Sequence, residues 1–262
     1  MSNILINAVE EKYKVEVKNK HQNVSILTAC LNESGNIGKW LEQVNNVIQN
    51  TKCHSVMEVV IVDDGSTDGT LDIISERSKH FPVPIKLIRR NVKMGTLNAQ
   101  IVGSQECNSE YILVLDCDMQ HPVDFILDFL EELKNEPDIV IGSRYMPGGY
   151  NKWPAYRGFV SRSATFLSQI LISQARKVKD PLSGYFLIKK SLISNLTPYK
   201  GMYKPLLYAI SMSTNPKMKE IPISMEGREA GVSKIVTNPA RVVLRYLKEI
   251  LVFFKSRNKL DH

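Results

Sequence analysis

The stretch Val56-Met57-Glu58-Val59-Val60-Ile61-Val62-Asp63-Asp64-Gly65-Ser66-Thr67-Asp68-Gly69 decides the fold. Its first seven residues are almost wholly apolar and mostly β-branched, as a parallel strand buried on both faces should be. They run into two acids, a glycine and small hydroxyls, and helical spacing follows over residues 70–78. Strand, polar turn and helix make up half of a βαβ unit. The same pattern recurs on both sides. Residues 24–28 are a short β-rich run, and Ile37, Trp40, Leu41, Val44, Val47 and Ile48 recur at helical spacing within 34–49. Further strands are expected at 85–88, 111–115 and 139–141, with helices at 97–104, 125–133 and 159–172. Such alternation predicts an α/β protein with a mostly parallel sheet between helical layers.

The chain has 262 residues, of which 43% are hydrophobic and 23% charged. That suits one large domain with a substantial core. No segment offers 18 apolar residues without charge, so no spanning helix is expected. Residues 1–22 are polar and aperiodic, without the apolar stretch of a signal peptide, and are expected to form an N-terminal arm. The four cysteines, Cys30, Cys53, Cys107 and Cys117, show no CxxC pair, which points to a reducing compartment and away from a disulfide or zinc scaffold. The formal charge is +7. Between Arg241 and Lys259 stand six basic residues and one acid, Glu249, so the excess is concentrated at one end. A basic end suggests an anionic partner, either a membrane surface, a nucleic acid or a phosphate ligand.

Sites in open parallel sheets lie beyond the carboxyl ends of the strands. The run 111–115 ends in Asp116-Cys117-Asp118-Met119-Gln120-His121-Pro122. Two carboxylates one residue apart, with an amide two further on, offer hard oxygen ligands suited to Mg2+ or Mn2+ shared with substrate phosphates. Asp63 and Asp64 form a second acidic strand end. No GxGxxG follows the first strand, and no GxxxxGK[ST], HExxH or GxSxG occurs, which removes the main support for a dinucleotide dehydrogenase, a P-loop ATPase, a zinc protease or a serine hydrolase. A nucleic-acid-binding module leaves the acidic strand ends without a purpose, so no nucleic acid is expected as a partner.

These residues resemble glycosyltransferase family 2 on the GT-A fold, a Rossmann-like three-layer α/β/α architecture. The resemblance is carried by Val24-Ser25-Ile26 with Asn32-Glu33, by Val62-Asp63-Asp64-Gly65-Ser66 and by Asp116-Cys117-Asp118. Five further stretches sharpen it towards the dolichol-phosphate mannose synthase branch. They are the run Asp116 to Pro122, Gly142-Ser143-Arg144-Tyr145, Trp153-Pro154 with Tyr156-Arg157, Asp180-Pro181-Leu182-Ser183-Gly184-Tyr185-Phe186, and Gly231-Val232-Ser233-Lys234. The resemblance implies a metal-dependent, inverting transfer of mannose from GDP-mannose to dolichyl or polyprenyl phosphate. The alternative is a glucosyltransferase using UDP-glucose or another nucleotide sugar. By the same resemblance, Glu33, Val62 and Asp64 meet the donor nucleoside, Ala29 and Leu31 also bind the donor, and Asp116, Cys117 and Asp118 line its diphosphate and sugar. Asp116, Asp118 and Gln120 hold Mg2+ or Mn2+, Arg144, Arg157 and Ser161 meet the acceptor phosphate, and Arg228 and Lys234 close a loop over the donor. Asp116, Asp118 and Arg144 are then the catalytic set. Leu31 stands where the family usually has a tyrosine, and the QxxRW motif of hydroxyl-glycosylating branches is absent. A phosphate monoester, with a second pKa of about 6, is already largely ionised and needs positioning more than a base.

The expected domain runs over 23–236, followed by a basic amphipathic helix over 237–262. Val243, Tyr246, Leu247, Ile250, Phe253 and Phe254 fall at helical spacing among Arg241, Arg245, Lys248 and Lys255, a pattern that suits a helix lying in a membrane interface. Packing on the domain, or docking to a small membrane-anchoring subunit, stay open as alternatives. The implied location is the cytoplasmic face of a membrane, that of the endoplasmic reticulum in a eukaryote or the plasma membrane in a prokaryote.

Overall fold

A computed structural model describes residues 22–50, 55–91, 94–153, 155–197 and 204–225. The expected arm at 1–22 (apart from residue 22), the helix at 237–262, and Arg228 and Lys234 lie outside the described residues.

The centre is a seven-stranded sheet. Its strands are β1 (Val24–Cys30), β2 (Val56–Asp63), β3 (Ile85–Arg89), β4 (Tyr111–Val114), β5 (Ile139–Ser143), β7 (Phe186–Lys189) and β8 (Met218–Pro222). Their order is β3-β2-β1-β4-β7-β5-β8. β7 is antiparallel to both neighbours, β4 and β5, and the remaining pairings are parallel. A two-stranded parallel ribbon, β6 (Tyr150–Asn151) with β9 (Ser224–Met225), sits beside it.

Alternation along each central strand builds two cores. Val59 and Ile61 of β2, with Tyr111 and Leu113 of β4, face one side. There they meet Trp40, Leu41 and Val44 of α1 (Ile37–Asn50), Ile74 of α2 (Thr70–Ser78), and Ile126 and Phe129 of α4 (Ile126–Glu132). Val60, Val62, Ile112 and Val114 face the other side, against Ala99 of α3 (Thr96–Glu106) and Leu206, Ala209 and Ile210 of α6 (Pro205–Met212). Period-two strands buried on both faces therefore give the expected three layers. α5 (Ala155–Leu171) precedes β7 and packs on the 3-10 turn Ser173–Lys177.

Two strands escape the sequence pattern. β7 is four residues long and starts at the last residue of the Asp180–Phe186 motif, and β8 reads Met-Lys-Glu-Ile-Pro, with Ile221 its one buried side chain. Short or edge strands carry too little periodicity to register.

α3 crosses β1 and β2 at Gly103, where a Cβ would lie 2.8 Å from Val62 Cγ2 and closer still to Leu27 Cδ1. Gly103→Ala is therefore expected to destabilise the fold by about 1–3 kcal/mol through overpacking, read as a lowered denaturant midpoint at unchanged slope.

Candidate active site

A cleft of about 450 Å³ opens where the carboxyl ends of β1, β2, β4 and β5 meet. β1 sits between β2 and β4, so the strand order reverses there, as it does at ligand crevices of open α/β sheets.

The acidic wall comes from β2 and β4. Asp63 and Asp64 divide the work. Asp63 is fully buried, and its Oδ2 accepts the Gly65 and Ser66 N–H groups at 3.0 and 2.9 Å, shaping a turn in which Gly65 has φ +92°. Asp64 lines the cleft. Its Oδ1 takes the Arg90 Nε at 2.6 Å together with Arg90 Nη2, and its Oδ2 faces the Gly95 N–H at 3.3 Å. Beyond β4, Asp118 Oδ1 accepts the Gln120 N–H at 3.1 Å. Met119 between them has φ +65°, a conformation that costs a β-carbon-bearing residue about 1–2 kcal/mol. The turn buries Met119 in the core while Asp118 and Gln120 line the cleft.

His121 supports this loop. Its Nδ1 accepts the Asp116 N–H at 2.9 Å, and its ring stacks on Tyr185 at 5.2 Å. Burial pushes its pKa down to about 4; Asp118 opposes the shift, while Arg144 and Lys204 add to it. The ring is neutral at physiological pH, as an Nδ1 acceptor requires. Gly184 leaves it room, since a Cβ there would lie 3.1 Å from His121 Cε1.

The basic wall faces the carboxylates. Arg144 follows β5 and is buried. Its Nε and Nη2 donate to Asp180 Oδ2 and Oδ1 at 2.7 and 2.6 Å, and its backbone N–H to Oδ2 at 3.1 Å. Burial disfavours the charge, but Asp180 outweighs it and raises the Arg144 pKa. Arg157, in the first turn of α5, has its Cζ 4.1 Å from the centroid of the Trp153 ring, and Arg144 approaches the same ring at 4.9 Å. Lys204, just before α6, completes the wall, its pKa lowered by burial and by Arg144.

Ala29, Leu31, Asp64, Asp116, Cys117 and Asp118 thus line one cleft with Gln120, Arg144 and Arg157. Three expected residues do not. Val62 requires correction as a nucleoside contact: it is wholly buried and its side chain packs towards Gly103, away from the cleft. Glu33 accepts Asn36 Nδ2 at 2.7 Å at the start of α1, and Ser161 accepts the Tyr145 hydroxyl at 2.9 Å. The cleft thiols, Cys30 and Cys117, are held protonated, with pKa values pushed far up chiefly by burial.

Residues 25–197 match the family model of Glycosyl transferase family 2. The chain belongs to this family. The dolichol-phosphate mannosyltransferase of Pyrococcus furiosus is 32% identical over 239 residues, covering 91% of this chain and 65% of that protein, so the chain spans about two thirds of that relative's length. The Saccharomyces cerevisiae protein of the same name is 29% identical over 78% of this chain and 78% of its own. A mannosyltransferase from Pyrobaculum calidifontis, solved with GDP-Man and Mn2+, superposes with a TM-score of 0.61 at 14% identity, over 96% of this chain and 72% of that one. Mannosyl-3-phosphoglycerate synthase from Rubrobacter xylanophilus gives 0.64 at 12% identity, over 98% and 79%. At such identities the likeness establishes the fold, which is GT-A.

The Pyrobaculum calidifontis enzyme was solved with a nucleotide sugar and Mn2+ together, and the acidic wall of this chain offers donors that fit such a metal. Asp116 and Asp118 are hard anionic donors, Gln120 adds a neutral oxygen, and the Asp116 side chain is 43% exposed. Among the described residues no three His, Cys, Asp or Glu side chains converge as a self-sufficient metal cage. That donor set leaves coordination places for phosphate oxygens and water.

Sequence reasoning missed Arg90, Lys204 and Asp180 as site residues. Arg90 and Lys204 carry no local motif, and Asp180 lay within a quoted motif without an assigned task. Asp180→Ala leaves Arg144 a buried, unpaired charge and is expected to cost about 3–5 kcal/mol in denaturant unfolding. Asp180→Leu combined with Arg144→Met should recover much of that stability, because no charge is then stranded.

Proposed function

We propose that this chain is an inverting, metal-dependent glycosyltransferase that moves mannose from GDP-mannose to dolichyl or another polyprenyl phosphate. The observation that carries this reading is the pairing, in one cleft, of an acidic wall at the β4 end with a basic wall around Arg144, Arg157 and Lys204. Relatives named dolichol-phosphate mannosyltransferase support the donor and the acceptor class.

Asp116, Asp118 and Gln120 would hold Mg2+ or Mn2+, whose charge would offset that building on the leaving diphosphate. Leu31 and Asp64 meet the nucleoside. Asp64, fixed by Arg90, is an acceptor that suits a base presenting an N–H edge. The acceptor phosphate lies against Arg144 and Arg157. Asp180 occupies the Nε and Nη2 edge of Arg144, and the Nη1 group has no hydrogen bond among the described residues, so it is left to a ligand. A phosphate oxygen displaces the diphosphate at the anomeric carbon with inversion. The nucleophile is already anionic, so no general base is assigned.

A polyprenyl acceptor resides in a bilayer. α5 begins at the basic wall and presents Phe159, Phe166 and Ile170, 74%, 64% and 49% exposed, along one face. An apolar stripe of this kind flanked by arginines suits contact with a membrane interface. No helix among the described residues is long and apolar enough to cross a membrane. Peripheral binding at a cytoplasmic membrane face follows from this reading, with a small anchoring subunit as a candidate partner.

Radiolabelled mannose is expected to pass from GDP-mannose to dolichyl phosphate in detergent with Mn2+, and EDTA should abolish the transfer. Transfer from UDP-glucose alone would keep the mechanism and change the donor; no transfer from either, with nucleotide binding intact, would refute the acceptor assignment. Asp118→Ala is expected to abolish transfer through lost metal. Arg157→Ala should raise the acceptor KM by about ten-fold or more, the size expected for a charge-assisted contact, at an unchanged donor KM.

A further inference from the structure

Three guanidinium groups and two aromatic rings alternate along one edge of the cleft. Arg157 and Arg144 lie over the Trp153 ring at 4.1 and 4.9 Å. Arg144 also approaches the Tyr145 ring at 5.3 Å, and Arg162 approaches that ring at 5.3 Å. Of these residues, Trp153, Arg144 and Arg157 line the cleft, and Arg162 is exposed on α5.

Two cations drawn to one ring need a reason to stay there, because like charges disfavour each other. Asp180 accounts for Arg144 but does not fix where Arg157 stands relative to it. The indole face is the contact that the two guanidiniums share. A guanidinium is planar, weakly hydrated and attracted to the negative face of an aromatic ring, and Trp is the strongest such partner. Trp153 is itself anchored. Its backbone N–H faces Asn151 Oδ1 at 3.4 Å, and its side chain packs against the core on the α1 side of the sheet. Its indole N–H is buried with no hydrogen-bond partner among the described residues, where packing and stacking hold the ring.

We infer that Trp153 is a positioning residue, which holds the Arg144 and Arg157 guanidiniums against one indole as a preformed clamp for the terminal phosphate of the acceptor. The inference rests on the acceptor reading above and adds what fixes the geometry of the two arginines. The indole acts through them and need not touch the phosphate. Its benefit is preorganisation. A long arginine side chain ordered only on binding loses rotamer freedom at that moment, whereas one already stacked does not.

The test compares the full-length wild type with Trp153→Phe and Trp153→Leu. Both substitutions keep apolar bulk, and only phenylalanine keeps an aromatic face. The probes are farnesyl phosphate in detergent micelles, farnesol, inorganic phosphate, and GDP with Mn2+. Wild type is expected to bind farnesyl phosphate in preference to farnesol and to inorganic phosphate. Trp153→Leu should bind farnesyl phosphate about ten-fold more weakly and Trp153→Phe within about three-fold of wild type, as loss and retention of cation–π contacts dictate. GDP–Mn2+ affinity should be the same in all three proteins, and in turnover the change should fall on the acceptor KM alone. Undiminished farnesyl phosphate binding by Trp153→Leu overturns the clamp. So does a parallel loss of GDP–Mn2+ binding that Trp153→Phe does not rescue, which marks a merely structural ring. A wild type that binds GDP–Mn2+ but not farnesyl phosphate, or binds inorganic phosphate equally well, overturns the acceptor reading itself and the clamp with it.

Discussion

The buried ion pair between Arg144 and Asp180 joins the end of β5 to the loop that leads into β7. Three hydrogen bonds run from Arg144 to the one carboxylate. The loop is fixed from behind by Glu220 of β8, which accepts the Lys179 and Asp180 N–H groups at 2.8 and 3.0 Å, and by Ser183, which donates to Gly142 O at 2.7 Å. A buried pair of this kind contributes little net stability against an apolar substitute, since desolvation offsets the attraction. Its effect is positional: a guanidinium is held at the lining of the cleft with its Nε and Nη2 edge satisfied. Arg144 also lies over the Trp153 ring and, after burial, adds to the lowering of the His121 and Lys204 pKa values.

The cleft is polarised across its width. The carboxylates come from the ends of β2 and β4, which are parallel strands, whereas the cations come from the β5 end and from the starts of α5 and α6. A site that brings two anions together, a nucleoside diphosphate and a phosphate monoester, needs such an arrangement. In the function proposed above, one wall would hold a cation that shields the leaving group, and the other would supply fixed positive charge to the nucleophile. Cations on both walls would leave a metal unheld, and acids on both walls would repel both substrates.

Backbone economy in the two acidic turns is equally specific. Asp63 spends its carboxylate on the turn so that Asp64 is displayed, and Met119 takes a left-handed conformation so that the residues on either side of it are displayed. Asp63, which looks functional from its place beside Asp64, is the one that shapes its loop. The same distinction removes Val62 from the donor site: it ends an apolar strand, but the period-two alternation turns its side chain into the α3 core.

The strands β1 to β5, the helices between them and the acids at the carboxyl ends of β2 and β4 were legible in the chain because each is a local pattern. Hydrophobic period, turn residues and an acid after an apolar run all fall within a dozen residues, and the parallel-sheet rule places the acids on one edge. Only the tertiary structure decided the rest. β7 enters antiparallel between β4 and β5, pairing Tyr111 with Lys189 and Ile141 with Phe186, and no local signal announces a four-residue strand's direction. Arg90 meets Asp64 across 26 residues, and Arg144 meets Asp180 across 36. These partners are chosen by geometry after the sheet has formed. The sequence by itself determined which elements exist and which chemistry stands at their ends; the packing of distant segments determined which charges face a ligand and which are consumed in holding the others in place.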